Sequence, residues 1–454
     1  MDEENAADWL CEKVAATLAG DCAMGDMEKA IDQECLELRR KVLVRLTQDS
    51  ANMTAFICPK CGRRLNVIAH NDDRTVTSSF GDIPFFRSYG CCPSCHESFH
   101  PADLKLGLHE RAPASPRVQE ICALTVLRAP AGQAEDDVRR LTGIRIGSST
   151  LHREARRQGE RALEIRASDE KFTQTSKGVA ELAARAPVLP GHTTMVIEID
   201  AWNIRERDNW GKTQALIKAG EDLERWHWVY TATVFRLDQR GTTESGRPVI
   251  ADRGFIATRS GIDGFQRQLY AEALQRGLLA AETVLILADG AIWIWNLASD
   301  RFKNAIQRVD LHHVQEHLWD LAAELHGKGS PEAHAWVKPY LQWLEKRNEG
   351  ALDVIESLEQ LQKNIEEFSK KERAAIAKEL EYFETHKGRM DYKTGKALGQ
   401  PVGSGAIEST CSQYQRRFKL TGQFWTLAGD EAFLALATLH RNARWNRLFP
   451  HDKN

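Results

Sequence analysis

The order of apolar and polar residues predicts a sheet built around one short strand. Residues 284–288 are five apolar residues in a row, too few to span a membrane and typical of a strand buried on both faces. The run ends on Asp289, at the strand's carboxyl end, where open α/β sheets hold ligands. A second strand, Met195–Trp202, carries Glu198 and Asp200 on one face by its alternation.

The same patterns predict the other elements of a mixed α/β fold. Three more strands are expected, at Trp226–Leu237, Pro248–Thr258 and Ile306–Val309. Helices are expected over residues 6–48, 115–127, 133–141, from 148 onward, 264–276, almost throughout 314–399, 406–418 and 427–445. We interpret residues 6–48 as a packing or dimerisation segment.

These elements divide the chain into seven expected regions. They are an acidic helical N-terminal region (1–50), a zinc ribbon (51–105), a helix-turn-helix (112–165), a linker (166–192), the first part of the core (193–330), an all-α insertion (331–400) and the second part of the core (401–449).

Charge and composition favour a cytoplasmic protein with a local basic surface. The 454 residues suffice for about two to four domains. The acidic amino terminus has the wrong sign for a secretory signal, and no apolar run approaches the roughly 18 residues of a spanning helix. The net charge of −3 conceals seven arginines within residues 138–163, enough to contact nucleic-acid phosphates.

Two cysteine pairs predict one structural zinc ion. Both pairs have the form Cys-Pro-x-Cys, a turn that presents two thiolates to a tetrahedral metal. The gap between the pairs is long, so a hairpin with a polar loop at 71–79 should close it. The expected ligands are Cys58, Cys61, Cys92 and Cys95. Cys91, His96 and His100 are alternative ligands.

Residues 133–157 predict a helix-turn-helix that binds double-stranded DNA. A short helix, a turn containing Gly143 and Gly147, and a basic helix with Ser and Thr at its start are typical of that motif. Polar residues at the start should face bases, and arginines should face phosphates. The alternative is a solvated basic helix. The expected DNA-binding residues of this helix are Ser149, Thr150, His152, Arg153, Arg156 and Arg157.

Three acids on separate elements suggest a divalent-metal site. Asp200 and Asp289 lie at strand ends, and Glu408 lies near a helix start. Carboxylates gathered in one cavity repel each other, and bound Mg²⁺ relieves that repulsion. Each acid also has a structural alternative, since Asp289 with its glycine suits a turn, Asp200 could cap a strand end and Glu408 could interact with the helix dipole.

The order of these motifs resembles a known family. It is similar to the DDE transposases of bacterial insertion sequences, in the Mutator-like superfamily, and looks closest to the Kra-type insertion-sequence family. The motifs that carry the resemblance are Ile199-Asp200, Ala288-Asp289-Gly290 with Trp293 and Trp295, Asp310-Leu311-His312-His313, Gly403 to Ser409, Arg417 to Trp425, and Asn442 to Trp445.

The resemblance implies a ribonuclease H-like mixed-sheet core and a transposase. Asp200, Asp289 and Glu408 would hold two Mg²⁺ (or Mn²⁺) ions, with His313 near the scissile strand. The partners would be transposon terminal repeats and target DNA, bound by a homodimer or larger assembly. Phosphates would be steered by Arg416, Arg417 and Lys419, and Trp425 would lie near DNA or brace the Glu408 helix. Two alternatives are a domesticated, catalytically inert DNA-binding regulator and a structure-specific nuclease without strand transfer.

Overall fold

The structure is a computed structural model that describes most of the chain. The described residues are 3–18, 20, 22–109, 112–207, 211–221, 226–364, 366 and 368–450. None of the helices within these ranges is long and apolar enough to cross a membrane. The chain divides after Gln158 into two compact units, and each is described by itself.

The first unit contains a small antiparallel sheet and several helices. Its elements are α1 (Glu3–Ala15), α2 (Met24–Asn52), β1 (Asn66–Ser78), β2 (Gly81–Cys91), β3 (Ser98–Phe99), α3 (Pro101–Lys105), α4 (Pro116–Arg128), α5 (Ala131–Thr142) and the start of α6 (Ser148–Phe172). The helices predicted at 115–127, 133–141 and from 148 are confirmed as helices. Gly143 ends α5 with a left-handed φ of 72°, as a glycine after a helix allows.

The predicted polar loop at 71–79 is wrong, because residues 71–78 are strand. β1 and β2 form one long hairpin that turns at residues 79 and 80, and the pairing shifts register between Val67 and Asp72. The stretch resembles a loop in sequence because it is rich in polar residues, and one of its inward-facing positions carries a charged side chain. Arg74 is buried, and it pairs with Asp103 at 2.5 Å. A buried charge is tolerated when it is paired in this way.

The second unit is built on a five-stranded mixed sheet. Its elements after the end of α6 are α7 (Ser176–Ala183), β4 (Thr194–Arg205), α8 (Thr213–Lys218), β5 (Trp226–Arg236), β6 (Arg240–Thr242), β7 (Pro248–Ile250), β8 (Arg253–Thr258), α9 (Gly261–Gln275), β9 (Thr283–Ala288), α10 (Ile292–Arg301), β10 (Ile306–Val309), α11 (Leu311–His326), α12 (Pro331–Lys346), α13 (Gly350–Lys363), α14 (Lys370–His386), α15 (Tyr392–Ala397), α16 (Gly405–Phe418) and α17 (Leu427–Arg441).

The strand order of the sheet is β10-β9-β4-β5-β8. β4, β5 and β8 pair antiparallel, whereas β9 lies parallel to β4 and β10 lies parallel to β9. Most strands predicted from the sequence are confirmed, and β9 is buried as its unbroken apolar run predicted. The one strand predicted at Pro248–Thr258 is wrong, because the stretch is divided into β7, which pairs with β6 in a separate sheet, and β8. The strand order places the carboxyl ends of β9 and β10 beside the middle of β4, which continues to Arg205 in pairing with β5.

One hydrophobic core joins the sheet to the helical insertion. Met195, Ile197 and Ile199 point to one side of β4 and belong to the same core as side chains of α9, α10, α11, α13 and α14. The insertion is therefore part of the second unit. Residues 166–192, expected as a linker, contain the end of α6 and all of α7. Leu182 of α7 is buried against Ala271 and Leu274 of α9, which explains why this stretch is helical.

Candidate catalytic and metal sites

Asp200 and Asp289 lie next to each other at the edge of the sheet. The last paired residues of the parallel strands β4 and β9 are Ile199 and Ala288, and each is followed by one of the aspartates. Neighbouring strands are about 4.8 Å apart, so the two carboxyl groups share one edge. Burial raises the pKa of Asp200, and the charge of Asp289 raises it further.

The third acid, Glu408, lies on α16, which packs against the same strand. Its side chain is exposed, and the Ser404 hydroxyl lies 3.4 Å from Glu408 Oε1. Cys411, one turn further along α16, points its thiol at Asp200 Oδ2 over 3.5 Å. Burial raises the pKa of Cys411, and the charges of Asp200 and Glu408 raise it further. Cys411 thus lies within electrostatic reach of both acids.

The three carboxylates are not gathered as tightly as one shared ion requires. Within the part of the chain that the structure describes, only the four cysteines of the first unit form a group of three or more ligand atoms within 4.8 Å of one another. The arrangement is instead a pair of aspartates with a glutamate on a neighbouring helix.

Two buried acids that the sequence did not identify as functional hold the start of α16. Glu198 Oε2 accepts a hydrogen bond of 2.8 Å from the Ile407 backbone N–H. Asp310 Oδ2 accepts one from the Ser404 N–H. These contacts satisfy donors in the first turn, which a helix cannot satisfy internally. Glu198 lies two residues before Asp200, so one strand both carries an acid of the pair and positions the Glu408 helix.

Glu198 should make the protein less stable as the pH rises. Burial is the main cause that raises its pKa from 4.5 to about 8. Between those values the folded chain keeps a proton that the unfolded chain has released, so stability falls as pH rises through this window and levels off above it. We expect the melting temperature of the wild type, relative to Glu198→Gln, to fall between pH 5 and pH 8.5. The exposed Glu244→Gln should show no such trend, and a pH-independent difference for Glu198→Gln would contradict the assignment.

His313 and Asp310 lie at the end of the neighbouring strand β10. Asp310 is fully buried and caps α11, accepting from the backbone N–H groups of His312 and His313. The charge of His313 lowers the pKa of Asp200. His313 Nδ1 lies 3.1 Å from Glu316 Oε2. His313 is therefore near the aspartate pair, whereas Asp310 has a structural role.

A polar cluster from the insertion abuts the Asp289 turn, and sequence reasoning missed it. Gly290 has a left-handed φ of 105°, and a Cβ there would lie 3.4 Å from the Tyr382 hydroxyl and 3.6 Å from His386 Nε2. Burial lowers the pKa of His386 to about 4, so this imidazole is neutral at neutral pH. Among the described residues, Tyr382 Oη and His386 Nδ1 are buried without a hydrogen-bond partner. The only sequence signal was the glycine itself.

Trp425 occupies a bracing position. Its indole N–H donates to the Phe418 carbonyl at 3.0 Å, its ring stacks on that of Phe418, and it is only 6 % exposed. It therefore supports the end of α16. Arg417 is half-buried above the Trp425 ring, and burial lowers its pKa to about 10. Arg416 and Lys419 are exposed.

The helix-turn-helix residues lie on the first turns of α6. Ser149, His152, Arg153 and Arg156 are exposed, while Thr150 is half-buried. Arg157 is partly buried, and it donates to both oxygens of the fully buried Glu154, at 2.9 and 2.8 Å. Arg157 therefore has a structural partner, whereas the exposed residues present a polar and basic surface.

The four predicted cysteine ligands converge. Cys58, Cys61, Cys92 and Cys95 place their sulfurs within 4.8 Å of one another. The Cys58–Cys95 and Cys61–Cys92 sulfur distances are 4.0 and 3.5 Å. A tetrahedral zinc with Zn–S bonds of about 2.3 Å needs sulfurs about 3.8 Å apart. The group can therefore hold a zinc ion with no ligand position left open for catalysis.

Both Cys-Pro-x-Cys turns have the same backbone geometry. The N–H of Cys58 donates to Arg63 and that of Gly62 to Cys58, and the N–H groups of Cys92 and His96 repeat the pattern. Backbone N–H groups of Cys95 and Ser94 lower the pKa of Cys92 to about 6, which favours the thiolate that binds zinc.

The alternative ligands have other places in the structure. His96 is exposed at the position where the first turn has Gly62, with a φ of 57°. His100 Nε2 lies 2.9 Å from Asp72 Oδ2. Cys91 Sγ faces the Cys92 carbonyl at 3.8 Å. None of these three residues belongs to the four-cysteine group.

Comparisons with known proteins give a distant structural likeness. No family model matches the chain, and no curated protein matches it. Among solved structures, the Drosophila P element transposase strand transfer complex matches 76 % of this chain and 83 % of that chain, with 12 % identity and a TM-score of 0.25. A likeness this weak carries no argument about fold or function. The Mutator-like and Kra-type resemblance therefore stays a prediction.

Proposed function

We propose that the chain is a DDE transposase that binds transposon ends and catalyses metal-dependent DNA cleavage and strand transfer. The proposal includes a ribonuclease H-like core in the second unit. Its support is the sheet: an antiparallel β4-β5-β8 meander, followed by β9 and β10 parallel to β4 on its other side. The family resemblance implies a mixed sheet, and this sheet contains both antiparallel and parallel pairs.

The observation that carries the proposal is the pairing of Asp200 with Asp289. Both follow the last paired residues of adjacent parallel strands. Burial is the main cause that raises the pKa of Asp200, and the charge of Asp289 raises it further. A bound divalent cation relieves such repulsion and fixes both groups as carboxylates. The donor set therefore fits Mg²⁺ or Mn²⁺, which prefer carboxylate oxygens.

Each acid has a distinct part in the proposed mechanism. Asp200 and Asp289 would hold the divalent ions at the end of β9, and Glu408 on α16 is the third proposed ligand. Two ions bound there would activate water to cut the transposon end, and then the freed 3′ hydroxyl for in-line attack on target DNA. The chain itself positions the strands, and no covalent protein–DNA intermediate is required.

End recognition is assigned to the first unit. The exposed first turns of α6 would enter the major groove, with Ser149 toward bases and Arg153 and Arg156 toward phosphates. The zinc ion would fix the hairpin of β1 and β2 as a structural module.

Removing one arginine from α6 should weaken DNA binding in a salt-dependent way. We expect Arg153→Ala to lower affinity for DNA that carries the terminal repeats. The slope of log K against log salt should become shallower by about 0.9, because one phosphate contact is lost. Fluorescence anisotropy at several salt concentrations measures both quantities. Arg128→Ala, at an exposed position of α4, is the control. Equal slopes for wild type and Arg153→Ala would show that Arg153 does not contact DNA phosphates.

A cleavage and joining assay tests the function as a whole. Purified protein, Mg²⁺ and DNA with the element's inverted terminal repeats should give nicked ends and then strand-transfer products. Cleavage without joining would instead favour a nuclease. Binding without cleavage would favour the inert regulator.

A further inference from the structure

The long helix α2 has two opposite faces, and one of them packs against strand β2 of its own unit. The packed face contains the buried Thr47 and contacts strand β2 of the hairpin that β1 and β2 form. There the Gln48 side chain donates to the Phe86 carbonyl at 3.0 Å and accepts from the Phe86 N–H at 2.8 Å. Buried and half-buried positions recur along this face every three or four residues.

The opposite face carries an exposed apolar stripe along the whole helix. Seven side chains that are between 42 and 76 % exposed form it: Met24, Met27, Ile31, Leu38, Val42, Leu46 and Met53. Cys35 lies in the same stripe and is half-buried. At 100° per residue all eight fall within an arc of about 100°. An aligned set of this kind marks an interaction surface more strongly than scattered exposed side chains do.

The spacing of the stripe suits a partner helix. Its positions advance by three, four and four residues and then repeat, with Asp49 as the one polar interruption before Met53. An 11-residue repeat stays in line with a straight or slightly right-handed helix pair. The stripe is about 43 Å long at 1.5 Å per residue. A second helix of the same length would cover it completely.

We infer that this stripe pairs α2 with the α2 helix of a second copy of the chain, in antiparallel orientation. The stripe is self-complementary about a two-fold axis between Leu38 and Arg39. With that axis, Met24 lies opposite Met53, Ile31 opposite Leu46, and Cys35 opposite Val42. A two-fold dimer uses the same patch on both copies, so each of these contacts occurs twice.

The charges beside the stripe require the antiparallel orientation. Acidic residues flank its amino-terminal half, and basic residues flank its carboxyl-terminal half. The acids are Glu28, Asp32 and Glu34, and the bases are Arg39, Lys41 and Arg45. Glu34, Lys41 and Arg45 lie on the same flank of the stripe. An antiparallel pair about this axis places Glu34 between Lys41 and Arg45 of the second copy, whereas a parallel pair places like charges together. Complementary flanking charges set the orientation of helix pairs.

The apolar area is sufficient for a stable dimer. The exposed parts of the seven side chains amount to roughly 700 Å² per copy, so a pair would bury on the order of 1,400 Å², within the usual range for specific interfaces. The inference does not depend on the proposed function, because it concerns α2 alone and no DNA.

Sedimentation equilibrium of the full-length protein without DNA tests the surface. The wild type should be a dimer at micromolar concentration. Leu38→Asp places two carboxylates beside the axis and should raise the dissociation constant at least about a hundredfold. Leu104→Asp, at an exposed leucine of α3 that is off the stripe, should leave the dimer unchanged. Equal zinc content would show that both variants are folded. A monomeric wild type, or a dimer that Leu38→Asp does not weaken, would overturn the inference.

Charge exchange tests the orientation. Glu34→Arg and Arg45→Glu should each weaken the dimer by a few-fold, and the double variant should recover the wild-type dissociation constant. Recovery identifies direct pairing of the two positions between copies. A double variant weaker than either single variant would overturn the antiparallel arrangement.

Discussion

Asp289→Asn is expected to abolish DNA cleavage and strand transfer while end binding remains intact. The amide is isosteric with the carboxylate but lacks its charge, so it holds Mg²⁺ poorly and no longer repels Asp200. Metal stabilisation of the transition state is worth several kcal/mol, so a loss of at least about a thousandfold in cleavage rate is expected. The backbone of the turn should survive, because an amide oxygen can still accept the 3.0 Å hydrogen bond that Asp289 Oδ1 receives from Ala291.

Two further measurements make the Asp289 result specific. The pKa of Asp200 should fall in the variant, since one cause of its elevation is the charge of Asp289. Asp300→Asn changes an aspartate on α10 that is 61 % exposed and should leave cleavage at the wild-type rate. If Asp289→Asn cleaves DNA at the wild-type rate, Asp289 does not belong to the catalytic site and the proposed aspartate pair is wrong.

Cys92→Ser is expected to release the zinc ion and unfold the module around β1 and β2. The local hydrophobic core there is small and includes the ligands themselves, with Cys58, Leu65 and Cys92 at its centre. Structural zinc contributes about 10–16 kcal/mol of apparent binding free energy in comparable modules, more than so small a core supplies. Zinc should fall from one ion per chain toward none, and proteolysis should cut within residues 54–100.

The neighbouring cysteine is the matched control for that loss. Cys91→Ser changes a thiol one residue away that lies outside the four-cysteine group, so its zinc content should remain at one ion per chain. If Cys91→Ser loses zinc while Cys92→Ser retains it, the zinc ligand is Cys91 and not Cys92. Wild-type zinc content in both variants would contradict the four-cysteine site.

The two predictions affect different units. Asp289→Asn should keep its zinc and its protease resistance, because the aspartate belongs to the sheet of the second unit. Cys92→Ser should lose zinc even if DNA is absent. Measuring zinc content and cleavage for both variants therefore separates the structural metal from the proposed catalytic metals.

The sequence alone determined most of the helices and strands, and it identified the four cysteines that converge. β9 followed from its unbroken apolar run, β4 from its alternation, and α4, α5 and the start of α6 from their turns and periodicity. Such patterns depend on residues close in the chain, where side-chain direction repeats every 2 or 3.6 residues. The Cys-Pro-x-Cys turns are equally local, and the long gap between them already required a hairpin.

Only the tertiary structure decided how the acids relate to one another. The order of strands in the sheet places Asp200 beside Asp289, and it depends on pairing between segments about 90 residues apart. Glu198 acts on Ile407 across 209 residues, a contact that no local pattern contains. The same holds for Glu408, which is exposed on α16 and not gathered with the aspartates, and for Trp425, which is buried behind that helix. Periodic patterns depend on residues that are close in sequence, whereas a site depends on distances in the folded chain. The sequence therefore identified the candidate residues, and the fold determined which of them lie close together.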